Sequence, residues 1–302
     1  MSSADAGTPE PLTRVPLAAT LALLLNACTW GLSWWPFRAL EQRGLHPLWA
    51  TVFIYLVAVA AITVSRPRAW RELFTTPVLW VLLLASGTTN AAFNWGVTVG
   101  DVVRVVLLFY LMPLWAVLLA RLLLKEPITR GAVLRVAMAL AGAAIVLWPP
   151  GGLAGGVPVP RSLPEWLGVL GGLSFALNNV MLRREAHRSP GSRALAMFLG
   201  GAVVSALLAL ALRSQGVAVP LPGPSSAWLW GALALAGAFL AGNMALQYGA
   251  SRLPANVTAV VMVTEVLFAS VSAVLLGAGS VSLPLLLGGV LIVGASVLAA
   301  LD

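Results

Sequence analysis

Asn90-Ala91-Ala92-Phe93-Asn94-Trp95-Gly96 reads polar, three apolar, polar, aromatic, glycine, and Asn243-Met244-Ala245-Leu246-Gln247-Tyr248-Gly249 repeats that order 153 residues later. A second pair agrees: the stretch from Trp30-Gly31 to Arg38 is echoed by Phe175-Ala176 to Arg183, 145 residues on. Two matches at similar offsets divide the chain into two halves of one design. Each motif lies inside a long uncharged run, so the repeating unit is built from apolar helices.

Composition fixes the solvent of those helices. The 302 residues are 60% hydrophobic and 9% charged, with a mean hydropathy of +0.94, whereas soluble domains carry about 25% charged residues. A cytosolic enzyme and a disordered chain are both excluded. A single cysteine, Cys28, excludes an internal disulfide framework and a cysteine-based metal site. The basic balance of 18 Lys and Arg against 10 Asp and Glu is dispersed between apolar runs, which argues against nucleic acid.

A helix crossing about 30 Å of hydrocarbon needs roughly 20 mostly apolar residues. The uncharged stretches predict ten such helices at 15–37, 45–65, 76–99, 103–123, 131–149, 165–184, 193–213, 226–249, 255–277 and 281–301. The fourth and sixth are the shortest, with uncharged cores at 105–120 and 166–182 extended by snorkelling arginines. The first is too long, and too polar at Asn26 and Ser33, for a removable signal peptide. Residues 1–14 read as a disordered tail, 15–149 as the first five-helix unit, 150–164 as a Gly/Pro-rich linker, and 165–302 as the second unit. With ten helices, 13 basic residues fall on the side of both termini and five on the other, which puts the termini in the cytoplasm. Because five is odd, the second unit enters the membrane upside down, giving an all-α inverted repeat around a central cavity, an arrangement common in transporters.

Trp30-Gly31, FYLMPLW (109–115), LLARLLLKEP (118–127) and TEVLFASVSAVLLG (264–277) resemble the EamA-type members of the drug/metabolite transporter superfamily. Within it, the chain is most similar to the YddG-like branch that exports aromatic and other neutral amino acids. The resemblance implies ten helices in two inverted halves and export out of the cell. One departure stands out: Glu126 matches the acidic residue closing the first unit's fourth helix, but the second unit has Ala278-Gly279 there.

Polar side chains at hydrocarbon depth are costly and face a bundle interior or a wet cavity. Asn26, Trp30, Ser33 and Phe37 form one stripe of the first helix, with Trp34 a turn from Trp30. Asn90 and Asn94 share a face of the third helix beside Trp95, and Asn243 and Gln247 share one on the eighth beside Tyr248. The sixth offers Ser174, Asn178 and Asn179, the fourth Tyr110, Pro113 and Trp115, and the ninth Thr258, Thr264 and Glu265. Interhelical hydrogen bonding is the competing role for any one amide; the set together predicts a substrate cavity. Trp70, Trp80, Trp148, Trp166, Trp228 and Trp230 sit near span ends, where an aromatic belt suffices.

Glu265 is the sole acid deep in an expected span, where a charge costs about 2.5–3.5 kcal/mol. No Lys or Arg lies at matching depth, so the carboxyl is expected to be neutral or hydrogen-bonded to groups such as Asn178 or Tyr110. Its two readings are a substrate-ammonium contact or proton-coupling carboxyl, and a structural acid. Pro113 cannot donate a backbone hydrogen bond and should bend the fourth helix, either as a gate or as a fixed kink.

No phosphate-binding GxxxxGK[ST] loop occurs, and His46 and His187 are the only histidines, both at span ends. No cofactor, no metal and no catalytic constellation are expected. The sequence therefore predicts a secondary exporter or uniporter of aromatic and other neutral amino acids, working by alternating access. Its partners are the small solute and the lipid bilayer, with the chain acting as a monomer. A broad drug or metabolite exporter is the same-class alternative; a structural or lipid-handling membrane protein and a channel are the others. The lack of cavity cations counts against phosphate-bearing substrates. Seventeen arginines against one lysine suggest a GC-rich genome and a bacterial inner membrane.

Overall fold

The computed structural model describes residues 17–125, 127–148, 159–185, 187–223, 226–250, 252 and 255–301. The expected tail at 1–14, most of the linker at 150–164, and Glu126 lie outside the described residues. Among the described residues, all regular structure is helical. The elements are α1 (Leu17–Leu32), α2 (Trp34–Gln42), α3 (Pro47–Ser65), α4 (Arg68–Thr75), α5 (Val78–Val99), α6 (Val102–Phe109) and α7 (Met112–Leu119). A π turn (Ala120–Leu124) follows, then α8 (Arg130–Val146), α9 (Leu163–Arg184), α10 (Pro190–Ser214), α11 (Ser226–Ala250), α12 (Ala255–Leu275) and α13 (Leu283–Leu301).

The first rod runs on to Gln42 rather than stopping at 37, and it breaks at Ser33. There the Ser33 hydroxyl donates to the Trp30 carbonyl at 2.7 Å, a local bond that competes with the helical ladder. The fourth rod breaks at Tyr110-Leu111, just before Pro113. A proline lacks the N–H and crowds the carbonyl four residues back, so the interruption falls where the sequence places the bend. The side chain of Pro113 lies outside the described set.

Helix starts follow local chemistry. The Asp101 carboxylate accepts from Arg104 N at 2.9 Å, and the Thr129 hydroxyl accepts from Ala132 N at 3.1 Å. Ser162-Leu163-Pro164-Glu165 forms a capping box: Glu165 Oε2 accepts from Ser162 N at 3.2 Å and Ser162 Oγ accepts from Glu165 N at 3.4 Å.

Among the described residues, five helices are long and apolar enough to cross a membrane, with Leu17–Gln42 and Val102–Leu124 each counted as one, and six if α4 and α5, bent by 103°, count as one broken span. The expectation of ten crossings thus exceeds what length and hydropathy carry alone. Among the described residues, Val261–Leu275 of α12 and Leu283–Ala295 of α13 form shorter apolar stretches, α8 is 17 residues long, and α9 carries Ser174, Asn178 and Asn179 between charged ends.

Packing runs mainly between the halves. The helix α5 lies on α10 and α9, α1 on α12 and α11, α8 on α13, and α3 on α10, while α9 also meets α6 and α7. The contacts α5–α9 and α11–α1 are both extensive, as are α1–α12 and those of α9 with α6 and α7. The contact of α5 with α10 is extensive, whereas that of α11 with α3 is slight. Lipid-facing chemistry matches this arrangement, with Leu21, Leu25, Leu84, Leu207 and Val290 exposed. Trp228 corrects the aromatic-belt expectation. It is buried, with its ring 5.0 Å from Phe53, while Trp80, Trp148, Trp166 and Trp230 are exposed.

Candidate functional site

Midway along the bundle, α1, α3, α5, α6, α7, α9, α10, α11 and α12 enclose a cavity of about 380 Å³. One aromatic wall is Trp30 stacked on Phe239 at 4.5 Å, with Tyr55 edge-on to Phe198 at 5.5 Å. The facing wall is Phe109, 4.9 Å from Phe93 and 5.3 Å from Phe175, with Tyr110 beside it at 6.0 Å. Such ring pairs favour offset or edge-on geometry, so each wall is a rigid surface. Amides from both halves sit between them: Asn26 and Asn90 from the first, Asn178, Asn179 and Asn243 from the second. Glu265 completes the lining, and among the described lining residues there is no Lys, Arg or His.

Glu265 reaches the cavity because α12 approaches α1 closely at Gly31. A Cβ there would lie 2.7 Å from both the Glu265 carbonyl oxygen and Phe268 Cβ, so only glycine admits this contact. Tyr110 donates its hydroxyl to Glu265 Oε2 across a long 3.5 Å. Tyr55 is seated on Gly201, where a Cβ would overlap its ring, and it donates to Asn90 Oδ1. Asn90 in turn donates to the Ser86 carbonyl at 2.8 Å. Asn26 and Asn178 are buried and differ from Asn90. Their amide groups donate weakly, to Met262 Sδ at 3.5 Å and Asn179 Oδ1 at 3.4 Å, and their carbonyl oxygens are without a partner.

The bundle end carrying the 43–46, 100–101 and 276–282 connections is closed by polar contacts, of which Asp101–Ser280 and Arg104–Glu165 join the halves. Arg38 donates to the Thr98 carbonyl at 2.9 Å and to that of Gly100. Asp101 accepts from Ser280 N at 3.1 Å. Arg104 bridges Glu165 at 2.6 Å and the Val146 carbonyl at 3.0 Å. At the other end, Ser189 donates to Glu72 from its hydroxyl and from its backbone N at 3.3 Å. That hydroxyl bond, chiefly, holds the Glu72 carboxyl below the ordinary carboxylate range.

Of the residues expected to bind substrate, Asn26, Trp30, Asn90, Tyr110, Asn178, Asn179, Asn243 and Glu265 line the cavity. Ser33 does not, because its hydroxyl is spent on its own helix. Trp34 points instead to a smaller cavity at the closed end and donates to Ser272 Oγ at 3.0 Å. Asn94 is fully buried and donates to Thr51 Oγ1 at 3.0 Å, acting as interhelical glue. Trp95 packs in an apolar cluster with Leu48 and Leu167. Tyr248 is exposed, with the Arg252 guanidinium 3.8 Å from its ring centre. The side chains of Gln247 and Thr258 lie outside the described set. Sequence reading missed Tyr55 and most of the phenylalanines in the walls.

The fold and site define a helical membrane protein with a polar and aromatic chamber shared by two halves. Residues 17–148, the segment from α1 to α8, match the model of the EamA-like transporter family. An uncharacterized transporter of Pseudomonas aeruginosa is 31% identical over 167 residues, which are 52% of this chain and 51% of that protein. The chain thus spans about half the length of the curated relative it matches. A solved crystal structure shares the fold, with a TM-score of 0.57 at 18% identity over 94% of this chain and 96% of its own.

Proposed function

We propose that the protein is a secondary carrier that exports aromatic and other neutral amino acids across a bacterial inner membrane. On this reading it has ten spans, both termini in the cytoplasm, and two inverted five-helix units that alternate access to one site. The observation that carries the reading is the cavity itself. At about 380 Å³ it falls in the usual range for small-molecule sites, draws amides and rings from both halves, and is closed at one end by contacts between them.

Three further features support it. The helix contacts exchange in pairs between the halves, as an inverted repeat requires. The largest asymmetry, tight α5–α10 against slight α11–α3, suits a carrier caught with one mouth shut. In the opposite state the two pairs would trade roles. Basic residues are concentrated on the side assigned to the cytoplasm. Rings and amides together suit an amphoteric solute with an apolar side chain.

Counterflow in liposomes loaded with phenylalanine is the test. Saturable exchange of labelled phenylalanine is expected. Flux linear in concentration would mean a channel, and no flux would leave a structural protein. A broad exporter of organic solutes also draws support from the largely aromatic lining, and a panel of apolar cations in the same vesicles separates it.

A further inference from the structure

Resting on that carrier reading, we propose that the cavity recognises the ammonium group of its solute through Glu265 and has no cationic partner for a carboxylate, so aromatic monoamines are ligands at least as good as aromatic amino acids. Among the described lining residues, Glu265 supplies the only carboxyl acceptors. Glu265 presents a carboxyl whose nearest donor, the Tyr110 hydroxyl, stands off at 3.5 Å. The unpartnered carbonyl oxygens of Asn26 and Asn178 are sealed in the packing and do not open onto the cavity, so the carboxyl is the acceptor offered to a solute. An ammonium group brings three donors and no acceptor, which matches that carboxyl. A carboxylate brings only acceptors, and the described lining contains no Lys, Arg or His to meet it.

The rings complete the selection. Trp30 stacks on Phe239 at one part of the lining, and Phe109 packs tilted against Phe175 at another. An aromatic body packs against such rings, and a cation over a ring face gains further attraction. A carboxylate placed there would face the negative faces of the same rings and lose its water with only neutral donors, and no cation, in return. The shared determinant is therefore a protonated amine on an apolar ring.

The full-length protein in liposomes, exchanging labelled phenylalanine, is challenged with three unlabelled competitors: phenylalanine, phenethylamine (ring and amine only) and 3-phenylpropanoate (ring and carboxylate only). Phenethylamine is expected to compete at least as well as phenylalanine, and 3-phenylpropanoate at least about tenfold less well, the loss of one charge-assisted hydrogen bond. Equal or better competition by 3-phenylpropanoate overturns the inference and leaves the carrier reading standing. Thermal stabilisation of the purified protein by each compound gives a second readout. If phenylalanine is not exchanged but phenethylamine stabilises the protein, the amino-acid assignment falls and the ammonium site stands. If neither is exchanged nor bound, both fall. Glu265→Gln should cost phenethylamine at least about tenfold in competition while changing 3-phenylpropanoate little. Should that variant fail to fold, Tyr110→Phe tests the same site, and amine preference unchanged there overturns it.

Discussion

Replacing Gly31 with alanine should loosen the contact that delivers Glu265 to the cavity. The added methyl would meet the Glu265 carbonyl oxygen and Phe268 Cβ at 2.7 Å and Ala269 N at 3.1 Å. These atoms belong to the backbone and stem of α12, so no rotamer change relieves the clash. Reaching ordinary contact requires α1 and α12 to part by roughly 0.7 Å. Overpacking of this kind costs about 1–3 kcal/mol, offset in part by the ~1 kcal/mol helix preference of alanine over glycine. Gly237→Ala in α11 is the matched control, because nothing lies within 4 Å of its added Cβ. The propensity gain cancels between the two variants, so Gly31→Ala should be less stable than Gly237→Ala by about 1–3 kcal/mol. Thermal unfolding of both in one detergent, followed by near-ultraviolet circular dichroism, reads that difference. Weaker solute binding should accompany it, since Asn26 and Trp30 move with α1 relative to Glu265. Equal stability of the two variants would mean that α1 and α12 do not meet at Gly31, and the account of how Glu265 is placed would fail.

Glu165→Ala removes a helix cap and an ion-pair partner together and should cost about 2–3 kcal/mol. Arg104→Ala should cost less, because Arg104 is 40% exposed and screened by solvent while Glu165 keeps its bonds to Arg161 N and Ser162 N; hydrogen exchange at the start of α9 ranks the two. Gly201→Val should expel the Tyr55 ring from its seat and lower stability by about 1–3 kcal/mol, with solute affinity falling as the Tyr55–Asn90 bond is lost. Glu72 gives a pH signature. Its folded carboxyl titrates below the ordinary range, chiefly through the Ser189 hydroxyl. Its stabilisation is therefore present above about pH 4.3 and disappears as pH falls through the lower folded value. Wild type should lose more stability than Glu72→Gln on acidification from about pH 5 to 3, by a small amount since the pair is exposed; identical profiles would refute the contact.

What the sequence made legible was whatever lipid makes expensive. Asn26, Asn90, Asn178, Asn243 and Glu265 stood out because an amide or carboxyl in hydrocarbon needs a partner or water, and the structure gathers all five at one cavity. The same reasoning did not separate Asn94 from Asn90, four residues and one turn away. Asn90 faces the cavity, while Asn94 meets Thr51 and is sealed. Periodicity assigns a face to a residue. Which part of that face meets the chamber depends on where α3 and α5 cross, and no single-helix pattern contains that crossing.

The aromatic walls were illegible for a different reason. Phe109, Phe175, Phe198 and Phe239 cost nothing in lipid, in a packed core or against a solute, so their chemistry does not distinguish the three places. Tyr55 could have been read, since its hydroxyl needs a partner wherever it is buried, and Asn90 is the amide it finds. The inter-half contacts turn this into a rule for chains of the kind. A polar atom at depth reports that a cavity or a partner helix exists. The glycines at close crossings, Gly31 beneath Glu265 and Gly201 beneath Tyr55, report which faces are pressed together. Polar residues one turn from such a glycine, or directly across from it, are then the ones set at the chamber. Asn90, one turn from Gly87, satisfies that rule, and so do Glu265 and Tyr55 across from Gly31 and Gly201, while Trp34, one turn from Gly31, is the exception. Trp95 and Tyr248 do neither: one packs under Leu48 and Leu167, and the other turns outward to Arg252.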